Sequence, residues 1–304
     1  MVIYMNEHIN VQNDFSRHLS QLQDEIVYGG YLAALCSPAF VFSVSVLANI
    51  KVGLPILVIA YLIPLMVYSY DYYRDMDKDM ATNSERAAYF NKKAKIYPFI
   101  MASYAVLLVS LLILFSNYEL ILFILVTVLV GMLYTFGLKG ITKKVPGFKN
   151  IYTALTWAIA GTFFIPLYYS MNLNLAFMLI FLFIFLKCLP NIIFFDIKDI
   201  EGDKKEGLKT VPVLIGKENT LNLLRGMNII AFLPLFAGVY LHLIPAFTLV
   251  MLVFLAYSFH YMKKASNANA DEMSLISQTL ADAEFILWPL VLFAASMIPT
   301  ILTL

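Results

Sequence analysis

The chain has 304 residues, enough for one large or two ordinary soluble domains, but 61% of them are hydrophobic and only 13% charged, and the mean hydropathy is +0.78. That composition excludes an ordinary soluble core and describes a polytopic membrane protein. The net charge of +1 says little by its size, because the information lies in how the charges are distributed.

The first 25 residues are polar (Asn6, Glu7, His8, Asn10, Gln12, Asn13, Asp14) and lack the basic stretch followed by an apolar core that marks a cleaved signal. They read as a cytoplasmic tail, residues 1–25, with a short amphipathic helix near Phe15 to Leu22; the membrane domain is then 26–304. Windows of about 20 apolar residues, enough to cross about 30 Å of hydrocarbon, fall at nine places: 27–50, 52–73, 96–115, 119–137, 150–170, 174–195, 220–241, 245–262 and 284–303. The expected fold is therefore all-α, with about nine transmembrane helices around a central cavity open to the cytoplasmic side and to lipid. The polar stretch from Ser266 to Asp282 reads as a loop or partial helix without assigned chemistry.

Basic residues concentrate in alternate connections: Arg74, Lys78, Arg86, Lys92, Lys93 and Lys95; Lys139, Lys143, Lys144 and Lys149; Lys198, Lys204, Lys205, Lys209 and Lys217; and Lys263 with Lys264. The opposite connections carry only Lys51. The positive-inside rule places the rich side, and the N-terminus, in the cytoplasm of a cell (plasma) membrane.

Two acidic runs lie on that side, each where an apolar window ends: Asp71-Tyr-Tyr-Arg-Asp75-Met-Asp77-Lys-Asp79 and Asp196-Ile-Lys-Asp199-Ile-Glu201-Gly-Asp203. Steps of three and four put Asp71, Asp75 and Asp79 on one helix face, and Asp196, Asp199 and Asp203 on another. Asp75 and Asp199 lie 124 positions apart, as do Asp79 and Asp203, as if one unit had been used twice. Desolvating carboxylates costs several kcal/mol or more, so something must offset it, most simply divalent cations. A set of solvated helix ends would explain one such run more readily than two matching ones. Mg²⁺ prefers carboxylate oxygen and is usually completed by substrate phosphate, which suggests two halves of one metal site holding a diphosphate. Lys78, Arg86, Lys139, Lys205 and Lys209 on the same side suit a departing diphosphate.

A water-soluble nucleotide has no need of nine spans, whereas an isoprenoid tail dissolves in an apolar cavity, so a prenyl diphosphate fits best. Loss of diphosphate leaves an allylic cation that aromatic faces stabilise by roughly 0.5–2 kcal/mol each. Tyr68 and Tyr134 stand out for that cavity among Tyr72, Tyr73, Phe194 and Phe195. Lys187, three before Pro190 and well inside an apolar window, is a functional candidate by default, to pair with a carboxylate or contact an acceptor; Asn191 is a further polar cavity candidate. Cys36 and Cys188 suggest no disulfide framework, the four histidines have no metal-ligand spacing, and no nucleic-acid signature appears.

With these residues in view, the chain resembles the UbiA superfamily of intramembrane prenyltransferases. Asp71, Asp75 and Asp79 match its Asn-x-x-x-Asp-x-x-x-Asp motif, and Asp199 and Asp203 its Asp-x-x-x-Asp motif, extended upstream by Asp196. Gly207-Leu-Lys-Thr210-Val-Pro212-Val looks like the family's Gly-x-x-Thr-Leu-Pro-Val tail. Tyr134 to Lys139, Lys149-Asn150 with Ala154 to Trp157, and Asn83-Ser-Glu-Arg86 agree as well. The resemblance implies that Asp75, Asp79, Asp199 and Asp203 hold Mg²⁺, with Asp71 and Asp196 completing the site, and that Asn83, Arg86 and Lys139 attend the diphosphate. It implies transfer of a prenyl group to a lipophilic acceptor, aromatic ones included, in isoprenoid biosynthesis. Two departures bear on the acceptor. Asp71 replaces the family's leading Asn, and Glu25-Ile-Val-Tyr28 stands where an Arg-Pro often opens span one. An acceptor carboxylate so loses a partner, and a terpene cyclase that needs no acceptor stays open as the alternative. A non-enzymatic cation carrier is the remaining class; it would favour carboxylates nearer mid-span.

Overall fold

The structure is a computed structural model that describes Glu25, residues 28–74, Met76, Met80, residues 84–133 and residues 138–302. The expected tail with its helix at 15–22 lies outside the described residues, as do Asp75, Lys78, Asp79, Asn83 and Tyr134. All regular structure among the described residues is helical: α1 Tyr31–Ala34, α2 Cys36–Leu47, α3 Leu54–Arg74, α4 Ser84–Lys93, α5 Tyr97–Phe115, α6 Tyr118–Leu133, α7 Lys139–Thr142 and α8 Phe148–Tyr168. The series continues with α9 Leu175–Asp196, α10 Ile200–Lys205, α11 Val211–Ile230, α12 Leu233–Tyr240, a 3₁₀ helix Ala246–Leu252, α13 Val253–Asn267, α14 Ala270–Ile276, a π-turn Ser277–Ala281 and α15 Asp282–Leu302.

Among the described residues, seven helical runs are long and apolar enough to cross a membrane: Leu54–Arg74, Tyr97–Phe115, Phe148–Tyr168, Leu175–Asp196, Val211–Tyr240, Ala246–Asn267 and Glu272–Ile298. The other two apolar windows of the sequence contain shorter helices, Tyr31–Leu47 and Tyr118–Val130. The first is cut short because Gly30 takes a left-handed φ of 82° and the chain turns again at Leu35 between α1 and α2. This is an integral membrane protein, and α5 shows why: Phe99, Val106, Ile113 and Leu114 are exposed, a surface suited to hydrocarbon rather than water.

Local chemistry sets the helix ends. The Asn174 side chain caps α9 by accepting from Phe177 N at 3.2 Å. The segment read as a loop or partial helix between Ser266 and Asp282 is mostly helix, because Asn269 and Glu272 form a reciprocal capping box, 2.9 Å in each direction, that starts α14. The window expected at 220–241 begins earlier, at Val211, with Pro212 in the first turn and a break at Gly216, φ 77°.

The chain divides into two compact units, one of Met1–Leu35 with Ile59–Leu111 and the other of Cys36–Val58 with Leu112–Leu304. In the first, Ser69 Oγ donates to Gly29 O at 2.8 Å, and Gly30 lies so close to α3 that an added Cβ would be 3.3 Å from that of Tyr68. Tyr73 stacks on Tyr97 at 4.6 Å, with Phe90 edge-on to Tyr97 at 5.1 Å. In the second, α8 packs along α9, while α2 packs between α8 and α15. Their core is aromatic: Trp288 stacks on Phe183 at 5.4 Å and meets Phe285 edge-on at 5.0 Å, and Phe285 lies 4.9 Å from Phe40. Such pairs contribute about 0.5–1.5 kcal/mol each beyond area, which matters where lipid removes the usual hydrophobic drive.

Gly161 of α8 is what lets α2 approach, since a Cβ there would sit 3.0 Å from Phe40 Cβ. Gly161→Val is therefore expected to destabilise the protein by about 1–3 kcal/mol through overpacking, read as a lower unfolding midpoint in detergent. Gly226→Ala, where a Cβ meets nothing within 4 Å, should leave the midpoint unchanged or raise it.

Candidate functional site

The second acidic run is described in full, and its three aspartates occupy three different environments. Asp196, the last residue of α9, is 2% exposed. Lys149 Nζ donates to its Oδ1 at 2.7 Å and Asn150 Nδ2 to its Oδ2 at 2.7 Å, so each carboxylate oxygen has a donor. Both donors come from the first turn of α8, which Gly147 starts in a left-handed conformation, φ 66°. Lys149 and Asn150, a sequence match without an assigned role, thus address a single carboxylate. Asn150 Oδ1 is buried and makes no hydrogen bond among the described residues, which leaves a neutral oxygen beside Asp196.

Beyond Asp196 the backbone turns, Asp199 N bonding Asp196 O at 3.1 Å, and α10 carries Asp203 one turn past Asp199, with Asp203 N on Asp199 O at 2.8 Å. Asp199 is about half exposed, beside Lys198 at 3.2 Å. Asp203 is buried and accepts from Thr210 Oγ1 at 3.0 Å. Burial raises the Asp203 carboxyl above the usual carboxylate range, Lys149 and the Thr210 bond pull it down, and Asp196 and Asp199 push it up.

The tail motif has a structural reason as well. Gly207, φ 72°, reverses the chain in a conformation that side chains disfavour, and Leu208 N returns to Asp203 O at 2.9 Å. Lys209 N then bonds Thr142 O and Gly147 N bonds Lys209 O, both at 3.1 Å, before Thr210 reaches Asp203 and Pro212 enters α11. The tail thereby ties the acidic turn to the segment that supplies Lys149 and Asn150.

In the other unit, Asp71 lies in the last turn of α3, partly exposed, 3.6 Å from Arg74. Arg86 sits 4.3 Å above the Tyr72 ring, and Tyr72 stacks on Tyr68 at 6.2 Å, a cation on an aromatic pair. Glu25, at the place where the Arg-Pro was expected, pairs with Lys93 and accepts from Tyr89 at 2.9 Å. Burial, with the bond to Glu25 second, raises the Tyr89 hydroxyl above its ordinary range, so it acts as a donor to that carboxylate. Asp75, Asp79, Asn83 and Tyr134 are outside the described residues; Lys139 opens α7, and its side chain is outside them too.

Lys187 and Asn191 are buried, 1% and 5% exposed. Lys187 pairs with Glu284 at 2.6 Å, a carboxylate that sequence reasoning missed because it counted Glu284 as the edge of the last span. The signal was present: one intramembrane lysine calls for one intramembrane carboxylate. Asn191 Nδ2 donates to Ala281 O at 3.0 Å.

Among the described residues no three His, Cys, Asp or Glu side chains come together as a metal group. A hard cation needs fewer: Mg²⁺ is commonly held by one or two carboxylates with waters and substrate phosphate. Asp199 and Asp203, carboxylates one helical turn apart, have the donor chemistry for it.

A family model described as the UbiA prenyltransferase family matches residues 32–280. No protein of curated function matches the chain in sequence. Among solved structures, a UbiA homologue from Aeropyrum pernix K1 is similar with a TM-score of 0.62 at 14% identity, covering 89% of this chain and 98% of that one. A digeranylgeranylglyceryl phosphate synthase is similar with a TM-score of 0.56 at 17% identity, covering 89% and 99%. A homologue from Archaeoglobus fulgidus bound to DMAPP and Mg²⁺ has a TM-score of 0.55 at 18% identity, again covering 89% and 99%.

Removing the buried donor of Asp196 with Asn150→Ala should cost about 1.5–3 kcal/mol, the range for a hydrogen bond to a charged group. Asp199→Ala should change stability by less than about 0.5 kcal/mol, because its partner is an exposed neighbour. Unfolding midpoints of the two variants in detergent check the contrast.

Proposed function

The chain belongs to the UbiA prenyltransferase family, and from that premise we propose that it transfers a prenyl group from a prenyl diphosphate to a lipophilic acceptor in a Mg²⁺-dependent reaction. The observation that carries the reading is the second acidic turn, where Asp199 and Asp203 lie one helical turn apart, Asp199 about half exposed beside Lys198, while Lys149, Asn150 and the Gly207–Pro212 tail fix the backbone around them. The Archaeoglobus fulgidus relative binds DMAPP with Mg²⁺, the ligand pair this chemistry would take.

In this reading Asp75, Asp79, Asp199 and Asp203 hold the cation, and Asp71 and Asp196 complete the acidic surroundings. When bound, Mg²⁺ supplies charge neutralisation for the leaving diphosphate. Arg86, Lys139 and Asn83 bind its remaining oxygens. The allylic C–O bond breaks with its electron pair leaving on diphosphate, the acceptor atom forms the new bond to that carbon, and its proton passes to the released diphosphate. Tyr68 and Tyr134 face the allylic cation and shield it from water. Lys187 and Asn191 keep their head groups for neighbouring helices and make no substrate contact. The acidic runs face the cytoplasm of a cell membrane, on the asymmetry of basic residues.

A second reading is favoured by one observation. Glu25 and its bonds to Lys93 and Tyr89 occupy the place of a cationic acceptor partner, which argues against a carboxylate acceptor and leaves a terpene cyclase as the alternative.

Purified protein with Mg²⁺ and geranyl, farnesyl or geranylgeranyl diphosphate alone should release no cyclic hydrocarbon; a cyclic product would replace the transferase reading with the cyclase. With an acceptor supplied, Asp199→Asn or Asp75→Asn should lower turnover at least about 10³-fold, as expected for loss of an electrostatic partner of the transition state. Retained turnover in either variant would count against both acidic runs serving the diphosphate.

A further inference from the structure

One charged cluster has no part in the reaction above. Lys187 Nζ meets Glu284 Oε1 at 2.6 Å, Asn228 Oδ1 at 2.6 Å and Ser258 Oγ at 3.1 Å. The Ser258 hydroxyl has Phe254 O at 2.7 Å and both Glu284 oxygens at 3.1 Å as acceptors, and Tyr261 OH donates to Glu284 Oε2 at 2.9 Å. Asn228 Nδ2 donates to Leu224 O at 3.0 Å. Lys187, Asn228, Ser258 and Glu284 are all 1% exposed or less, and they come from α9, α11, α13 and α15. Four helices of one unit therefore meet at a single ionic node inside the hydrocarbon-spanning region.

Stability is a poor explanation for such a node. Taking two charges out of water costs several kcal/mol per ion, and apolar side chains of similar size hold helices together as well or better. What apolar packing does not supply is direction: an ion pair with three hydrogen-bonding neighbours, Asn228, Ser258 and Tyr261, favours one rotation of α9 about its axis. A second tie lies one turn nearer Asp196, where Asn191 donates to Ala281 O. Tyr257 OH holds the adjacent Leu280 O at 2.9 Å. Both carbonyls belong to the π-turn Ser277–Ala281, where the helical ladder is irregular.

The two ties bracket Pro190. Proline removes a backbone N–H from the ladder and loosens the helix at that point, so the last turns of α9 depend on tertiary contacts for their alignment. Those turns end in Asp196 and deliver Asp199 and Asp203. We propose that Lys187–Glu284 and Asn191–Ala281 are positioning contacts that set the rotation of α9 on either side of Pro190 and thereby aim the second acidic turn at its cation. The inference rests on the reading that this turn binds a divalent cation, and it concerns positioning residues, not groups that touch substrate.

The test uses the purified full chain, with Mn²⁺ as the probe cation followed by electron paramagnetic resonance, and amide hydrogen exchange of the 197–208 segment measured without metal. Lys187→Met/Glu284→Gln removes both charges together and leaves none buried alone; Asn191→Leu removes the second tie with no change of charge. Both are expected to weaken Mn²⁺ binding about tenfold per folded protein and to speed exchange in 197–208, while Asp203→Asn weakens Mn²⁺ binding without faster exchange across that segment. If the double variant does not fold, Asn191→Leu decides alone. Unchanged exchange and Mn²⁺ affinity in the folded variants, with binding lost in Asp203→Asn, would overturn the positioning role and leave the proposed function standing. Mn²⁺ bound as tightly by Asp203→Asn as by the parent would overturn the metal reading and this inference together.

Discussion

Hydrocarbon solvates neither a carboxylate nor an ammonium, and the second unit is organised around meeting that constraint at two depths of one helix. At the end of α9, Asp196 is met by Lys149 and Asn150. Nine positions earlier, about 13 Å along the axis at 1.5 Å per residue, Lys187 is met by Glu284, Asn228 and Ser258. Every partner comes from a different helix than α9 itself, so the helix that introduces the acidic turn is held from several sides. Aromatic packing of Trp288 on Phe183 lies one turn beyond Lys187, on the side away from Asp196.

The three aspartates of this acidic run are held differently. Asp196 has a donor on each oxygen, Asp203 is buried and bonded to Thr210, and Asp199 is about half exposed beside Lys198. The buried Asp203 carboxyl is raised above the usual carboxylate range because water is withheld from it. Gly207 and Thr210 close the turn by backbone geometry and one hydroxyl, which explains why those residue types follow the acids at that distance. The first unit carries a different arrangement, a guanidinium over stacked tyrosines at Arg86, Tyr72 and Tyr68.

Much of this was legible in the chain. Apolar windows located the helices, because lipid demands about 20 apolar residues wherever a helix crosses, and the acidic spacing marked the turn at 196–203. The first window yielded a helix shorter than a span, since hydropathy is blind to a left-handed Gly30 or a turn at Leu35. The segment 266–282 reads only as a loop or partial helix because it is too short and mixed to show an apolar window; its capping pair, Asn269 and Glu272, was the better guide to α14. Glu284 escaped, lost at the rim of an apolar stretch although Lys187 required such a partner.

Composition and spacing determined by themselves the solvent of this protein, its helical class and which carboxylates stand at the ends of apolar helices, because those follow from local transfer free energies and helical period. Only the tertiary structure decided which aspartate is bound by its own chain and which is open, and that Lys187 answers to Glu284. Pairing between residues 47 or 97 positions apart depends on which helix faces lie against each other, and no local property of either residue encodes that.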